Sequence, residues 1–159
     1  MKPRLDAVDW RILKELQANG RMTNVDLAER VGITPPPCLR RVRALEEAGI
    51  ITGYAALLDE KMVGFDLIAF AMVGLHNQSE ADLRAFENRL LTWPIVRESY
   101  MLSGETDYIL KCVAPDLPSF QDFVIKELTA APNVAIVKTT LAIRRAKFEA
   151  GVATQLVRP

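Results

Sequence analysis

The chain is poor in the residues that most chemistry needs. Of its 159 residues only one is histidine and two are cysteine. Cys38 and Cys112 have no second cysteine or histidine at ligand spacing, which argues against a zinc motif or a disulfide framework and leaves both as small buried apolar residues. His76 ends an apolar run and reads as a surface residue beside a turn rather than a base. There is no glycine-rich phosphate loop and no nucleophile beside a base, so an enzyme reading has nothing to start from. Net charge is also lacking: Lys+Arg 20 balances Asp+Glu 20, without the basic excess of many nucleic-acid binders. A stretch of about 18 apolar residues is missing, and the N-terminus has no hydrophobic run. The expectation is a cytoplasmic protein with no membrane partner, no metal and no cofactor.

With 50% hydrophobic residues the chain can bury a core and form one domain or two small ones. Residues 1–50 carry nine Lys/Arg against seven Asp/Glu, so any DNA affinity would rest on locally placed arginines and on bivalency. Those arginines stand in Ile33 to Ala48, where three prolines open a short helix and three arginines occur inside four positions. Thr34 is expected to cap this helix by accepting a backbone N–H bond, and proline at the first helical position loses no intrahelical bond. At 100° per residue Cys38, Leu39, Val42 and Leu45 share the inward side. Pro36, Arg40, Arg43, Ala44 and Glu47 share the outward side, with Arg41 at the flank. Guanidinium groups so placed can pair with phosphates or with guanine edges in a major groove.

The preceding segments frame that helix. Leu5 to Gln17 has helical apolar spacing, with Asp6 as cap and Asn19-Gly20 as stop. Thr23 with Asp26 resembles a capping box and opens a second helix that Gly32 ends. The turn at 32–34 is so short that the two helices must cross sharply, the helix-turn-helix arrangement. Ile50 to Leu58 reads as a small hairpin wing or a strand leading onward.

The second half has the order β-α-β-β-α-β: an apolar strand to Leu75, a helix over Ser79 to Leu91, strands over Ile95–Leu102 and Tyr108–Val113, a helix from Pro118 to Leu128, and a strand over Val134–Ile143. That order fits a ferredoxin-like sandwich, making the whole chain α+β. Strand residues Leu67, Ala69, Ala71 and Val73 alternate with Ile68, Phe70 and Met72, so both faces need cover. Two helices cover one face, and a second copy laid against the other gives a two-fold dimer.

Three stretches then carry a family likeness from Leu5 to about Ala146. They are Leu5-Asp6-x-x-Asp9 with Ile12-Leu13; Gly20-Arg21-x-Thr23-Asn24-x-x-Leu27-Ala28-x-x-Val31-Gly32; and Cys38-Leu39-x-Arg41-Val42-x-x-Leu45-Glu46-x-x-Gly49-Ile50-Ile51-x-Gly53-Tyr54. With the turn Ser103-Gly104-Glu105-Thr106-Asp107-Tyr108, the chain resembles the Lrp/AsnC transcriptional regulators. The resemblance implies a winged helix-turn-helix domain (1–58) and a ferredoxin-like effector-binding and oligomerisation domain (66–146). The short, charged, glycine-closed stretch between them reads as a linker (59–65), and the C-terminal tail (147–159), without periodicity, is expected to pack on a neighbour or fray. The resemblance also implies paired sites on double-stranded DNA, a homodimer assembling to an octamer, and a free amino acid as effector.

The expected DNA-contacting residues are Arg40 and Arg43 toward bases or phosphates, with Thr34 and Pro36 at the entering end and Arg41, Thr23 and Asn24 on the backbone. At the turn, Gly104 would let an N–H approach a carboxylate, and Asp107 offers an anion to an ammonium. Similarity to the family places the effector among Tyr100, Met101, Ser103, Gly104, Thr106, Asp107 and the last-strand residues Thr139, Thr140 and Leu141, at a contact between dimers. Met101 and Leu141 hint at an apolar amino acid. Two alternatives stay open: an architectural protein wrapping DNA without effector, and an amino-acid-binding regulatory subunit of an enzyme.

Overall fold

The computed structural model describes residues 4–156, so residues 1–3 and the last three of the expected tail, 157–159, lie outside it. The chain forms two compact units, one from residues up to Leu57 together with those from Lys147 onward, the other Leu58–Ala146.

The first unit holds three helices, α1 (Ala7–Ala18), α2 (Asn24–Val31) and α3 (Pro35–Glu47). A full capping box starts α1: Asp6 Oδ1 accepts from the N–H of Val8 and of Asp9, both at 2.9 Å, and Asp9 Oδ2 accepts from the N–H of Asp6 at 3.0 Å. The Thr23–Asp26 box at α2 closes differently. Thr23 Oγ1 accepts from the Asp26 N–H at 3.2 Å and donates to Asp26 Oδ2 at 2.6 Å. Thr23 has a hydroxyl to donate, which Asp6 at the α1 cap lacks, and the Asp26 carboxylate takes it in place of the Thr23 N–H. Gly32 ends α2 at φ 75°, a left-handed conformation that a Cβ would strain.

Thr34 stands at the N-cap of α3, but its side chain makes no cap bond. The first three helical positions, Pro35, Pro36 and Pro37, have no N–H to give. The first available donor, Cys38 N–H, goes to the Thr34 carbonyl at 3.2 Å. Ile12, Leu27, Ala28, Val31, Cys38 and Leu45 form the core between the helices. Leu39, expected inside, is 39% exposed at the rim.

No strand forms over Ile51–Leu58. The segment instead anchors through Tyr54, whose hydroxyl donates to Glu46 Oε1 at 2.9 Å and whose ring lies so close to Gly20 that a Cβ there would come within 3.2 Å. The C-terminal segment is tied into this same unit. The Gln17 side-chain amide donates to the Val152 carbonyl at 2.8 Å and its Oε1 accepts the Val152 N–H at 2.8 Å. Beside that clamp Gly151 has φ 80°, and a Cβ on it would fall 2.2 Å from Gln17 Oε1.

In the second unit, strands β1 (Leu67–Leu75), β2 (Val96–Met101), β3 (Tyr108–Ala114) and β4 (Val134–Leu141) make one antiparallel sheet in the order β2-β3-β1-β4. Helix α4 (Glu80–Leu90) and helix α5 (Leu117–Phe123), prolonged by a wider turn over Val124–Leu128, cover one face. Ala69, Ala71 and Val73 of β1 and Tyr108, Leu110 and Cys112 of β3 point into that core with Phe86, Phe120 and Leu128. The alanines let the helices sit close. On the opposite face Ile68, Phe70, Met72, Ile109 and Val113 are half-buried, and Ile136 is 48% exposed. An arrangement apolar on both sides is therefore present, with helices over one side only.

Candidate functional site

The outward side of α3 is as the helical spacing requires. Arg40 and Arg43 are exposed, and with Pro36, Leu39, Ala44 and Glu47 they line an open groove of about 300 Å³. Neither arginine has an ion pair among the described residues. Their charge faces solvent on one stripe of the helix.

Arg41 departs from the expectation. Its Nη1 donates to Asp6 Oδ2 and to Asp9 Oδ1, each at 2.8 Å. The Asp9 N–H, then the Arg41 guanidinium, hold the Asp6 carboxyl below its usual value, and Asp9 and Asp6 together raise the Arg41 pKa. With two carboxylates already on it, Arg41 pins α3 to the start of α1 and is not a free cation. Asn24 is likewise engaged: its Nδ2 donates to the Pro35 carbonyl at 2.8 Å, joining the front of α2 to the front of α3. Thr23 remains exposed at the cap of α2, and Thr34 presents a hydroxyl with no helical donor.

At the turn between β2 and β3, Ser103 and Gly104 are exposed while Thr106 and Asp107 are half-buried. Asp107 is more than an open anion. Its Oδ2 accepts the Leu75 N–H at 2.6 Å, its own N–H donates to the Val73 carbonyl at 3.0 Å, and its carbonyl accepts from Leu102 at 2.8 Å. The residue stitches the turn to the end of β1, which sequence spacing does not announce. Gly104 has no left-handed φ, and a Cβ added to it would meet no atom within 4 Å, so nothing inside the chain requires glycine there.

Tyr100 and Met101 end β2, both exposed, and the Tyr100 hydroxyl donates to Glu98 Oε2 at 3.0 Å. Glu98 also pairs with Lys111, and those two bonds lower its carboxyl pKa. Thr139, Thr140 and Leu141 lie on β4 at the opposite edge of the sheet, three strand spacings or about 14 Å away. Leu141 is paired with Ala69 near the start of β1, whereas the turn is stitched to its end. One chain therefore does not bring the last-strand residues and the turn around a single small molecule.

Two family models match this chain. One, described as winged helix-turn-helix DNA-binding, covers residues 5–52; the other, the Lrp/AsnC ligand binding domain, covers residues 68–152. The chain is also 63% identical over 143 residues to the leucine-responsive regulatory protein of Rhizobium meliloti (strain 1021), spanning 90% of this chain and 92% of that one. It belongs to the Lrp/AsnC family of transcriptional regulators. The Bkd operon transcriptional regulator of Pseudomonas aeruginosa is 39% identical over 88% of this chain and 92% of its own length. Among solved structures, a transcriptional regulator of Neisseria meningitidis in complex with L-methionine superposes with TM-score 0.91 at 37% identity, covering 97% of this chain and all (100%) of that one. An AsnC family regulator from Agrobacterium tumefaciens gives TM-score 0.90 at 30% identity, over 97% and 100% of the two chains.

The α+β reading, with a winged helix-turn-helix followed by a ferredoxin-like domain, thus holds, although Ile51–Leu58 builds no hairpin in this chain. As an Lrp/AsnC regulator the protein is a DNA-binding transcription factor with a small-molecule-binding domain, and the family is one of regulators, not enzymes. Among the described residues no helix is long and apolar enough to cross a membrane.

Proposed function

We propose that this Lrp/AsnC regulator binds paired DNA half-sites as a homodimer and that a free apolar amino acid alters its occupancy or its assembly, in the cytoplasm where its DNA lies. The observation that carries the reading is the unpaired Arg40 and Arg43 on the outward stripe of α3. In a major groove Arg40 and Arg43 reach guanine edges or phosphates, and Pro36 leads the helix in. Thr23 and Thr34 approach the backbone with their hydroxyls. Arg41 and Asn24 act at one remove, by fixing how α3 sits on α1 and α2.

The dimer forms through the helix-free face, where Ile68, Phe70 and Met72 need cover. Further assembly to an octamer brings a neighbouring copy to the β2–β3 turn. That neighbour supplies what one chain lacks, since Thr139–Leu141 do not reach the turn of their own chain. Ser103, Gly104 and Thr106 receive the effector carboxylate through N–H and hydroxyl groups, the free oxygen of Asp107 takes the ammonium, and Tyr100 and Met101 flank the side chain. An apolar effector accords with a leucine-responsive relative and with a neighbour bound to L-methionine.

The test is a salt-dependent gel-shift series on DNA from upstream of the protein's own gene, with calorimetric titration of the twenty amino acids in the presence and absence of that DNA. Arg40→Ala and Arg43→Ala each weaken binding; a phosphate contact lowers the salt slope by about 1, and a base contact relaxes selection. Unchanged binding by both variants refutes the groove assignment.

A further inference from the structure

Arg41 and Arg89 are both half-buried, and they differ in what they meet. Arg41 has two carboxylates. Arg89 has none, and its Nε is buried without any hydrogen-bond partner. A half-buried guanidinium has given up part of its hydration, and with Nε closed off by the chain the two Nη groups, which have no ion pair among the described residues, are the donors left to meet an anion. The Arg89 guanidinium carbon lies 5.7 Å from the centroid of the Trp93 ring, within cation–π range.

Arg89 lines a cavity of about 860 Å³ on the helix-bearing side of the second unit, between α4 and the end of α5. Trp93, Pro94 and Phe123 give it apolar walls, and Asp82 and Glu127 stand in the same lining. Glu127 Oε2 accepts the Trp93 indole N–H at 3.3 Å, leaving its other oxygen open, and Asp82 Oδ2 is taken by the Ser79 hydroxyl. The lining shares no residue with the β2–β3 turn or the end of β4.

The charges select the guest. A simple anion would satisfy Arg89 but meet two carboxylates, and a simple amine would leave Arg89 unpaired. A zwitterion answers both. We propose that this cavity is a second small-molecule site, taking an apolar α-amino acid with its carboxylate on Arg89, its ammonium toward Glu127 and its side chain against Trp93, Pro94 and Phe123. It goes beyond the effector site at the turn and does not depend on it.

Equilibrium dialysis of the full-length protein with radiolabelled L-leucine, L-methionine and L-phenylalanine tests the site. The competitors are deaminated and decarboxylated phenylalanine (3-phenylpropionate and phenethylamine). The expected result is a class of sites that Arg89→Gln weakens roughly tenfold to a hundredfold, that Asp107→Asn leaves in place, and that neither analogue displaces efficiently. Arg89→Lys recovers only part of the affinity, because the ammonium cannot form the two-pronged contact; it also carries the test should Arg89→Gln fail to fold. Wild-type stoichiometry and affinity in both Arg89 variants would overturn the proposal. So would variants that change the sedimentation of the protein but not its ligand uptake, which would make the cavity a contact between copies. Loss of amino-acid response in Asp107→Asn with the Arg89-dependent class intact separates the two sites; loss of the Arg89-dependent class in Asp107→Asn would overturn the second site.

Discussion

In the first unit carboxylates hold helices together and leave cations outside; in the second they are drawn into the sheet and leave a cation inside. Asp6 and Asp9 fix Arg41 at the junction of α1 and α3, so that Arg40 and Arg43, one and two positions away, are the charges that remain exposed. Asp107 serves the N–H of Leu75, and Glu98 serves Lys111 and Tyr100, while Arg89 stays unpaired beside Trp93. Adjacent residues of one sign thus have different work according to which counter-charge the fold brings to them. A run of arginines is not a binding surface until the paired ones have been subtracted.

The largest effects probe the two cores separately. Leu110→Ala in the second unit and Ile12→Ala in the first, both fully buried at 0% exposure, should each cost ~2–5 kcal/mol of their own unit's stability. The fluorescence of Trp93 and Trp10, one tryptophan in each unit, follows the two melts in single-tryptophan variants.

Next is the stitching residue. Asp107→Ala strands the Leu75 N–H and should destabilise the second unit by ~1–3 kcal/mol as well as abolish the effector response. Asp107→Asn keeps an acceptor and should lose the response with most of the stability retained. Equal melting of the two variants would remove the structural role argued for this carboxylate.

Arg41→Ala should lower the melting of the first unit by about 1 kcal/mol, as expected for a largely solvent-accessible ion-pair cluster, with a smaller loss of DNA affinity than Arg40→Ala. The same cluster gives a pH dependence. The folded-state pKa of Asp6 lies below its usual 3.8, so its contribution is present above that value and is lost as pH falls through the lower folded value. Acid titration followed through Trp10 should show this loss, and Asp6→Asn should remove it.

The smallest effect separates the two threonine caps. Thr23→Ala should cost ~1 kcal/mol, whereas Thr34→Ala should cost nearly nothing, because no N–H is offered to it. Equal losses would contradict the cap geometry.

Helical spacing makes the first unit legible. Asp6, Thr23 and Gly32 mark helix ends by local chemistry, and a 100° step puts Arg40 and Arg43 on one side without knowledge of any neighbour. The succession of strands and helices along the chain follows equally from apolar runs and turn residues. What spacing does not supply is partnership across the sequence. Arg41 reaches Asp9 across 32 positions, Leu75 reaches Asp107 across 32, and Gln17 reaches Val152 across 135. The wing is misleading in sequence because β-branched residues around Gly53 suit a strand, yet Tyr54 finds its partner in Glu46 on α3 rather than in a second strand. Thr139–Leu141 look like companions of the turn until the sheet order sets them at the opposite edge.

The three prolines that begin α3 have one more consequence. A helix N-terminus ordinarily grasps phosphate through its free amides, but here Pro35, Pro36 and Pro37 have removed those amides from the leading tip of α3. In the DNA complex proposed above, the prolines would rest against a thymine methyl and only the Thr34 hydroxyl would be left at the tip to meet a backbone oxygen, so most of the adhesion is displaced one turn back to the guanidiniums.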